Sequence, residues 1–314
     1  MTTPSNAVPG SLDSQRLAPA ALSPTRPLYW SIRRELWENR SIYIAPLGVA
    51  AVGLLGFLIG LMGVSHSKHA QAAPDAAHQQ IMGAMPYAHA AWVLILTGFI
   101  VAVFYSLDAL YGERRDRSIL FWKSLPVSDL TIVIAKASIP LVVLPVVVFG
   151  VTVILHLIML VLNTGVLLMS GRSVATMWSQ LPLFQMDLVL FYGLTVMALW
   201  HAPLYGWLLL VSGWARRATF LWAVFPLLAI GLFERIAFRT SHFGSLLKDR
   251  LYGFAMDAFS FHTPDGTPID PHFIPLAQIT PGKFLSSTGL WVGLAFAAVF
   301  IAAAVRLRRY REPI

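Results

Sequence analysis

The sequence predicts an all-α, polytopic membrane protein, and three observations carry that prediction. Hydrophobic residues make up 57% of the 314 and charged residues only 12%, about half of the roughly 25% charged share of a soluble domain. Mean hydropathy is +0.67. Six windows, residues 42–64, 88–110, 132–162, 188–211, 219–238 and 287–305, are long and apolar enough to supply the roughly 20 residues that a helix needs to cross bilayer hydrocarbon. A barrel would alternate apolar and polar residues instead.

Residues 1–26 form a cytoplasmic tail. Met1–Pro24 is rich in Pro, Ala and Ser, has no basic stretch leading into a hydrophobic core as a secretory signal does, and reads as disordered. One membrane domain, residues 27–311, follows. It opens with Pro27–Asn39, where Tyr29, Ile32 and Leu36 fall on one helical face, flanked by Trp30 and Trp37, while Ser31, Arg34, Glu35 and Glu38 fall on the other. This pattern predicts an amphipathic helix lying in the interface, with the tryptophans at headgroup depth and Arg33 and Arg40 reaching to phosphates.

The first span leads to an external loop holding His66, His69, His78 and His89. His66 and His69 share a helical spacing that zinc sites use, without the further ligands such sites need, so the loop reads as polar. After the second span comes the densest charge in the chain, Tyr111–Pro126: Glu113, Arg114, Arg115, Asp116, Arg117 and Lys123, with Ile119, Leu120, Phe121 and Trp122 among them. Both signs beside an aromatic pair suit charge-assisted docking with an apolar anchor; the plainer alternative is a solvated loop whose arginines only set topology. Pro126 ends the segment, and Ser128 or Asp129 can cap the next helix.

From Ile132 to Met169 the chain is apolar for too long for one simple span, yet a second crossing there would carry Arg216, Arg217 and the Arg306–Arg311 cluster outside. One long or tilted helix, bent at Pro140 and Pro145, is expected, followed by a short external connection to Gln185. Spans four and five follow. Residues 239–286 form the largest external region, with Pro264, Pro268, Pro271, Pro275 and Pro281, and within it Gly244–Phe259 has the spacing of a short interfacial or re-entrant helix.

With both termini inside, sixteen of the 23 Lys and Arg are cytoplasmic, while the 15 acids divide eight inside and seven outside. The whole net charge of +8 then lies on the cytoplasmic side, so the pI near 10.0 reports orientation and anionic headgroups rather than nucleic acid. The absence of cysteine excludes disulfides, thiol catalysis and cysteine-ligated metals. No G-x-x-x-x-G-K-[ST], HExxH or GxSxG occurs. Polar groups within spans draw attention because they are costly there: His156, His201 and Glu234, the last with Arg235 and Arg239 as close partners. Phe191, Tyr192, Trp200, Tyr205 and Trp207 are aromatic candidates for lining a path.

The amino-terminal helix, the Tyr111–Pro126 connection, the stretch Leu199–Trp207 through Trp214–Arg217 and the six spans together resemble a permease of the ABC-2 type of ATP-binding-cassette exporters, over about residues 28–310. The resemblance implies that Tyr29, Trp30, Ile32, Arg33, Leu36 and Trp37 belong to an elbow helix. It implies that Glu113, Arg114, Arg115, Asp116, Arg117, Phe121, Trp122 and Lys123 couple to an ATPase, and that His156, Phe191, Tyr192, Trp200, His201, Tyr205 and Glu234 are candidates for the substrate path. It further implies two copies of a separate ATPase subunit carrying ATP and magnesium, a second permease that is an identical chain or a sister permease, and a bacterial inner membrane. Substrates would be hydrophobic or amphipathic: an antibiotic, a peptide or a lipid-like molecule. No cofactor, metal or catalytic residue is expected on this chain. Two other readings stand beside it: a polytopic membrane enzyme or cofactor-binding subunit using the intramembrane histidines, and a membrane anchor for a signalling partner.

Overall fold

The computed structural model describes residues 25–66, 76–123, 127–171, 173–262 and 274–310. The amino-terminal tail up to residue 24, the loop bearing His69 and the proline-rich stretch 263–273 lie outside them, as do the side chains of His66, His78 and Trp122. The described chain is helical, with a single isolated bridge between Phe259 and Ile279.

In order, the helices are α1 (Thr25–Glu38), α2 (Ser41–His66), α3 (Ala76–Asp108), α4 (Tyr111–Arg115), α5 (Ser118–Lys123), α6 (Asp129–Ser138), α7 (Leu144–Met169), α8 (Val174–Gln180), α9 (Leu183–Trp200), α10 (Ala202–Trp214), α11 (Thr219–Phe238), α12 (His242–Tyr252), α13 (Phe254–Ala258), α14 (Pro281–Ser286) and α15 (Thr288–Tyr310). Six helical runs are long and apolar enough to cross a membrane: 41–62, 81–115, 129–169, 177–200, 219–238 and 288–310.

Between α6 and α7 the helix continues as one π turn, Ile139–Val143. Pro140 has no N–H to give to Lys136 O, so Ile139 N–H takes that carbonyl, and Leu144 N–H reaches five residues back to Ile139 O. The run therefore bends without leaving backbone groups bare in the apolar layer. Span four is interrupted at a single residue, with no π turn. His201 leaves helical geometry before Pro203, while Met197 O and His201 O still accept from His201 N and Tyr205 N at 3.0 Å. A crossing that the sequence presents as one apolar run, 188–211, thus consists of α9 and a centrally buried α10.

Small residues set the close packing, as expected where lipid removes the hydrophobic drive between helices. A Cβ on Gly206 of α10 would lie 3.3 Å from Ala297 O of α15, and one on Gly98 of α3 would lie 2.7 Å from Val148 of α7. By contrast, α11 buries only Ala223. It is held near its start by Trp207 Nε1 donating to Ala223 O at 3.0 Å and by Trp214 against Trp222. Apolar on all sides as far as Phe233, it suits lipid contact over that length.

The elbow helix corrects one expectation. Its Ser31–Arg34–Glu35–Glu38 stripe does not face solvent throughout: Glu35 is only 2% exposed, packed toward α6, while Tyr29, Trp30 and Trp37 are 57%, 57% and 67% exposed. The carboxylate turns inward because a cation on α6 awaits it.

Candidate functional site

That cation is Lys136, and it organises the end of the bundle where α1, α4, α6 and α15 meet. Its Nζ lies 2.8 Å from Glu35 Oε1 and 3.2 Å from Glu113 Oε1. Glu35 Oε2 accepts from the Tyr105 hydroxyl at 2.7 Å. Glu113 Oε2 meets Arg308 Nη2 at 3.1 Å, and Arg34 Nη2 approaches Glu113 Oε1 at 3.6 Å. Arg308 also pairs with Asp129. Three cations thus face three carboxylates, with Glu35, Glu113, Lys136 and Arg308 all buried. Charges survive burial only with partners of this kind.

The connection between spans two and three is built on this cluster and has two faces. Inward, α4 contributes Glu113 and Arg114, whose Nη1 donates to Gly213 O at 2.8 Å and Ala215 O at 3.1 Å. The Ser212 hydroxyl accepts from the backbone N–H groups of Leu110 and Tyr111 at 2.9 and 2.8 Å, and Ile119 of α5 is buried. Outward, Arg115, Asp116, Arg117, Leu120, Phe121 and Lys123 are exposed. Arg115 and Asp116 pair at 3.0 Å, and Lys123 Nζ reaches Arg309 O at 3.4 Å. On α1, the Arg33 guanidinium lies over the rings of Trp30 and Trp37 at 5.2 and 4.9 Å, an arrangement that fixes a cation among interfacial aromatics.

The remaining sequence candidates sit at several separate contacts. His156 joins α3, α7 and α9: its Nδ1 is 2.7 Å from Asp187 Oδ1 and its Nε2 is 3.1 Å from Tyr87 O. His201 binds Met197 O and Leu251 O at 2.8 and 3.3 Å, and Tyr192 donates to Ala258 O at 3.2 Å. Both histidines therefore hold helices together. Trp200 and Tyr205 are buried, Phe191 is exposed beside Phe149, and Glu234 lies apart. The arginine partners expected for Glu234 give way to a cap: its carboxylate accepts from the Thr240 hydroxyl and from the N–H groups of His242 and Phe243 at 2.7–2.8 Å, at the start of α12.

Arg250 went unnoticed in the sequence and is an anchor. Its guanidinium lies 4.5 Å from the Trp200 ring and donates to Trp200 O at 3.3 Å and Gly289 O at 2.9 Å. Burial there holds it below the usual arginine range. It pins α12 onto the kink of span four. A cavity of about 1060 Å³ lies elsewhere, among α2, α3 and α7, and a smaller one of about 150 Å³ touches His156 and Gly193. Among the described residues no group of three or more His, Asp or Glu is placed to hold a metal.

This architecture defines an all-α, multi-pass membrane protein. Compared with family models, curated proteins and solved structures, the chain has no match.

Proposed function

We propose that the chain is the permease subunit of an ATP-driven exporter, moving a hydrophobic or amphipathic substrate out through a bacterial inner membrane with both termini in the cytoplasm. The observation that carries this reading is the two-faced connection α4–α5. Its inward face is tied through Glu113 and Arg114 to the elbow, to the starts or ends of spans two, three and six, and to the turn after span four. Its outward face offers Arg115, Asp116, Arg117, Leu120 and Phe121. A solvated topology loop needs no such wiring.

In this reading two ATP-binding-cassette subunits, holding ATP and magnesium, bind the outward faces of two connections, one on each of two identical chains. ATP-driven closure of the motors displaces α4–α5, and the buried ion cluster passes that displacement to several span ends at once. A packed and paired cluster shifts between discrete arrangements and does not absorb the push by bending. The loop itself is too short for a nucleotide domain.

The test is reconstitution with the ATP-binding-cassette subunit encoded beside this chain. Arg115→Ala, Asp116→Ala and Phe121→Ala together remove exposed contacts and leave the buried cluster intact. They should weaken association about tenfold or more, as loss of an interfacial aromatic anchor does, and abolish ATP-dependent efflux with the fold retained. Unchanged association and transport, or the absence of any such companion in cells, overturns the proposal.

A further inference from the structure

Four cations stand in the connection between spans two and three, and three of them are engaged within the chain. Arg114 donates to Gly213 O and Ala215 O, Arg115 pairs with Asp116 and approaches Asp108 at 3.9 Å, and Lys123 reaches Arg309 O. The fourth, Arg117, is exposed, and its guanidinium meets no acceptor among the described residues.

An exposed arginine is ordinarily satisfied by water, but the backbone beneath this one is unusual. Arg117 follows the C-cap of α4 with φ of +57°, a position that glycine normally takes because a Cβ is disfavoured there. Its N–H closes α4 on Arg114 O at 3.4 Å, and its carbonyl accepts from Leu120 N–H at 3.2 Å as α5 begins. The turn needs only the backbone of residue 117, and glycine would make it with less strain. A side chain kept in such a conformation points to a use for that side chain. Beside it Leu120 and Phe121 are 57% and 60% exposed, an apolar pair next to an unengaged cation.

We propose that Arg117 is the polar anchor of motor docking: a carboxylate of the ATP-binding-cassette subunit takes its guanidinium in two hydrogen bonds, while an adjacent apolar pocket of that subunit receives Leu120 and Phe121. Resting on the exporter reading, this contact fixes the chemistry of the motor's surface. The planar guanidinium fork matches a carboxylate bidentately, and arginine beside buried aromatic surface is a frequent make-up of binding hot spots. An anionic lipid surface fits less well, because Asp108 and Asp116 are exposed beside the same turn and would meet phosphates of like charge.

The test combines the full chain, in vesicles of phosphatidylcholine and phosphatidylserine, with the ATP-binding-cassette subunit encoded beside it. Arg117→Gly keeps the turn and relaxes it, so the unfolding midpoint in detergent should hold or rise, yet association should weaken about tenfold or more. Arg117→Lys keeps the charge without the fork and should weaken association less. Treated with carbodiimide, that variant should form an amide between position 117 and a motor carboxylate, mapped by mass spectrometry. Association unchanged in Arg117→Gly overturns the inference and leaves the exporter reading standing. So does an amide from position 117 to an acid of this chain or to phosphatidylserine in place of the motor. A wild-type chain that binds no such subunit overturns both.

Discussion

At the scale of single residues, Lys136 has the most consequential environment. With Glu35 and Glu113 both against its ammonium group, Lys136→Met leaves two buried carboxylates short of a partner. We expect a loss of about 3–5 kcal/mol, the usual effect of breaking one side of a buried pair, read as a lower unfolding midpoint in detergent. Arg115→Ala, on the exposed face, should leave that midpoint essentially unchanged, because solvent screens its pairing with Asp116. Arg250→Met removes two donors to Trp200 O and Gly289 O. It should raise hydrogen exchange across α12 and α13 and leave α1 and α6 protected. A uniform change over the whole chain would mean that Arg250 does not act locally.

At the scale of elements, α11 stands apart from the bundle and is entered and left through strained residues. Ala218 and Arg239 at its two ends have φ of +49° and +54°, a region that disfavours side chains by about 1–2 kcal/mol. Ala218→Gly should therefore stabilise the protein by about 0.5–1 kcal/mol after the extra flexibility of the unfolded chain is counted. The α10–α15 pair lies at the other extreme. Gly206→Val would drive a Cβ that already meets Ala297 O at 3.3 Å, and branched methyls besides, into the partner helix. A loss of about 1–3 kcal/mol is expected from such overpacking, whereas Gly56→Ala, where an added Cβ would meet nothing within 4 Å, should be close to neutral.

At the scale of the whole molecule, the charge asymmetry makes a topological prediction that is open to direct measurement. Arg217 and Lys248 are both exposed and, with both termini inside, lie on opposite sides of the membrane. Since the chain has no cysteine, Arg217→Cys and Lys248→Cys are clean probes. An impermeant thiol reagent applied to intact cells should label position 248 and spare 217. Ser212 would be a poor probe for the inner side, because its hydroxyl is buried under the start of α4.

The sequence by itself determined the class: six apolar helical runs, an amphipathic helix before the first, a long third span bent at Pro140, a short helix between spans five and six, and no thiol chemistry. Each of these follows from hydropathy, periodicity or a single residue's backbone chemistry, all of which act over a few neighbours. Only the tertiary structure decided which face of the elbow turns inward, that Glu113 and Arg114 are buried while Arg115 and Phe121 are displayed, that His156 and His201 tie helices together, and that Arg250 pins α12 to span four. Lys136 carried a legible hint, a lone cation in an apolar stretch, but its partner Glu35 sits 101 residues back, and Glu113, which it shares with Arg308, meets that arginine from 195 residues away. Burial of a charge is a property of the group opposite it, and a linear chain does not state which groups will be opposite.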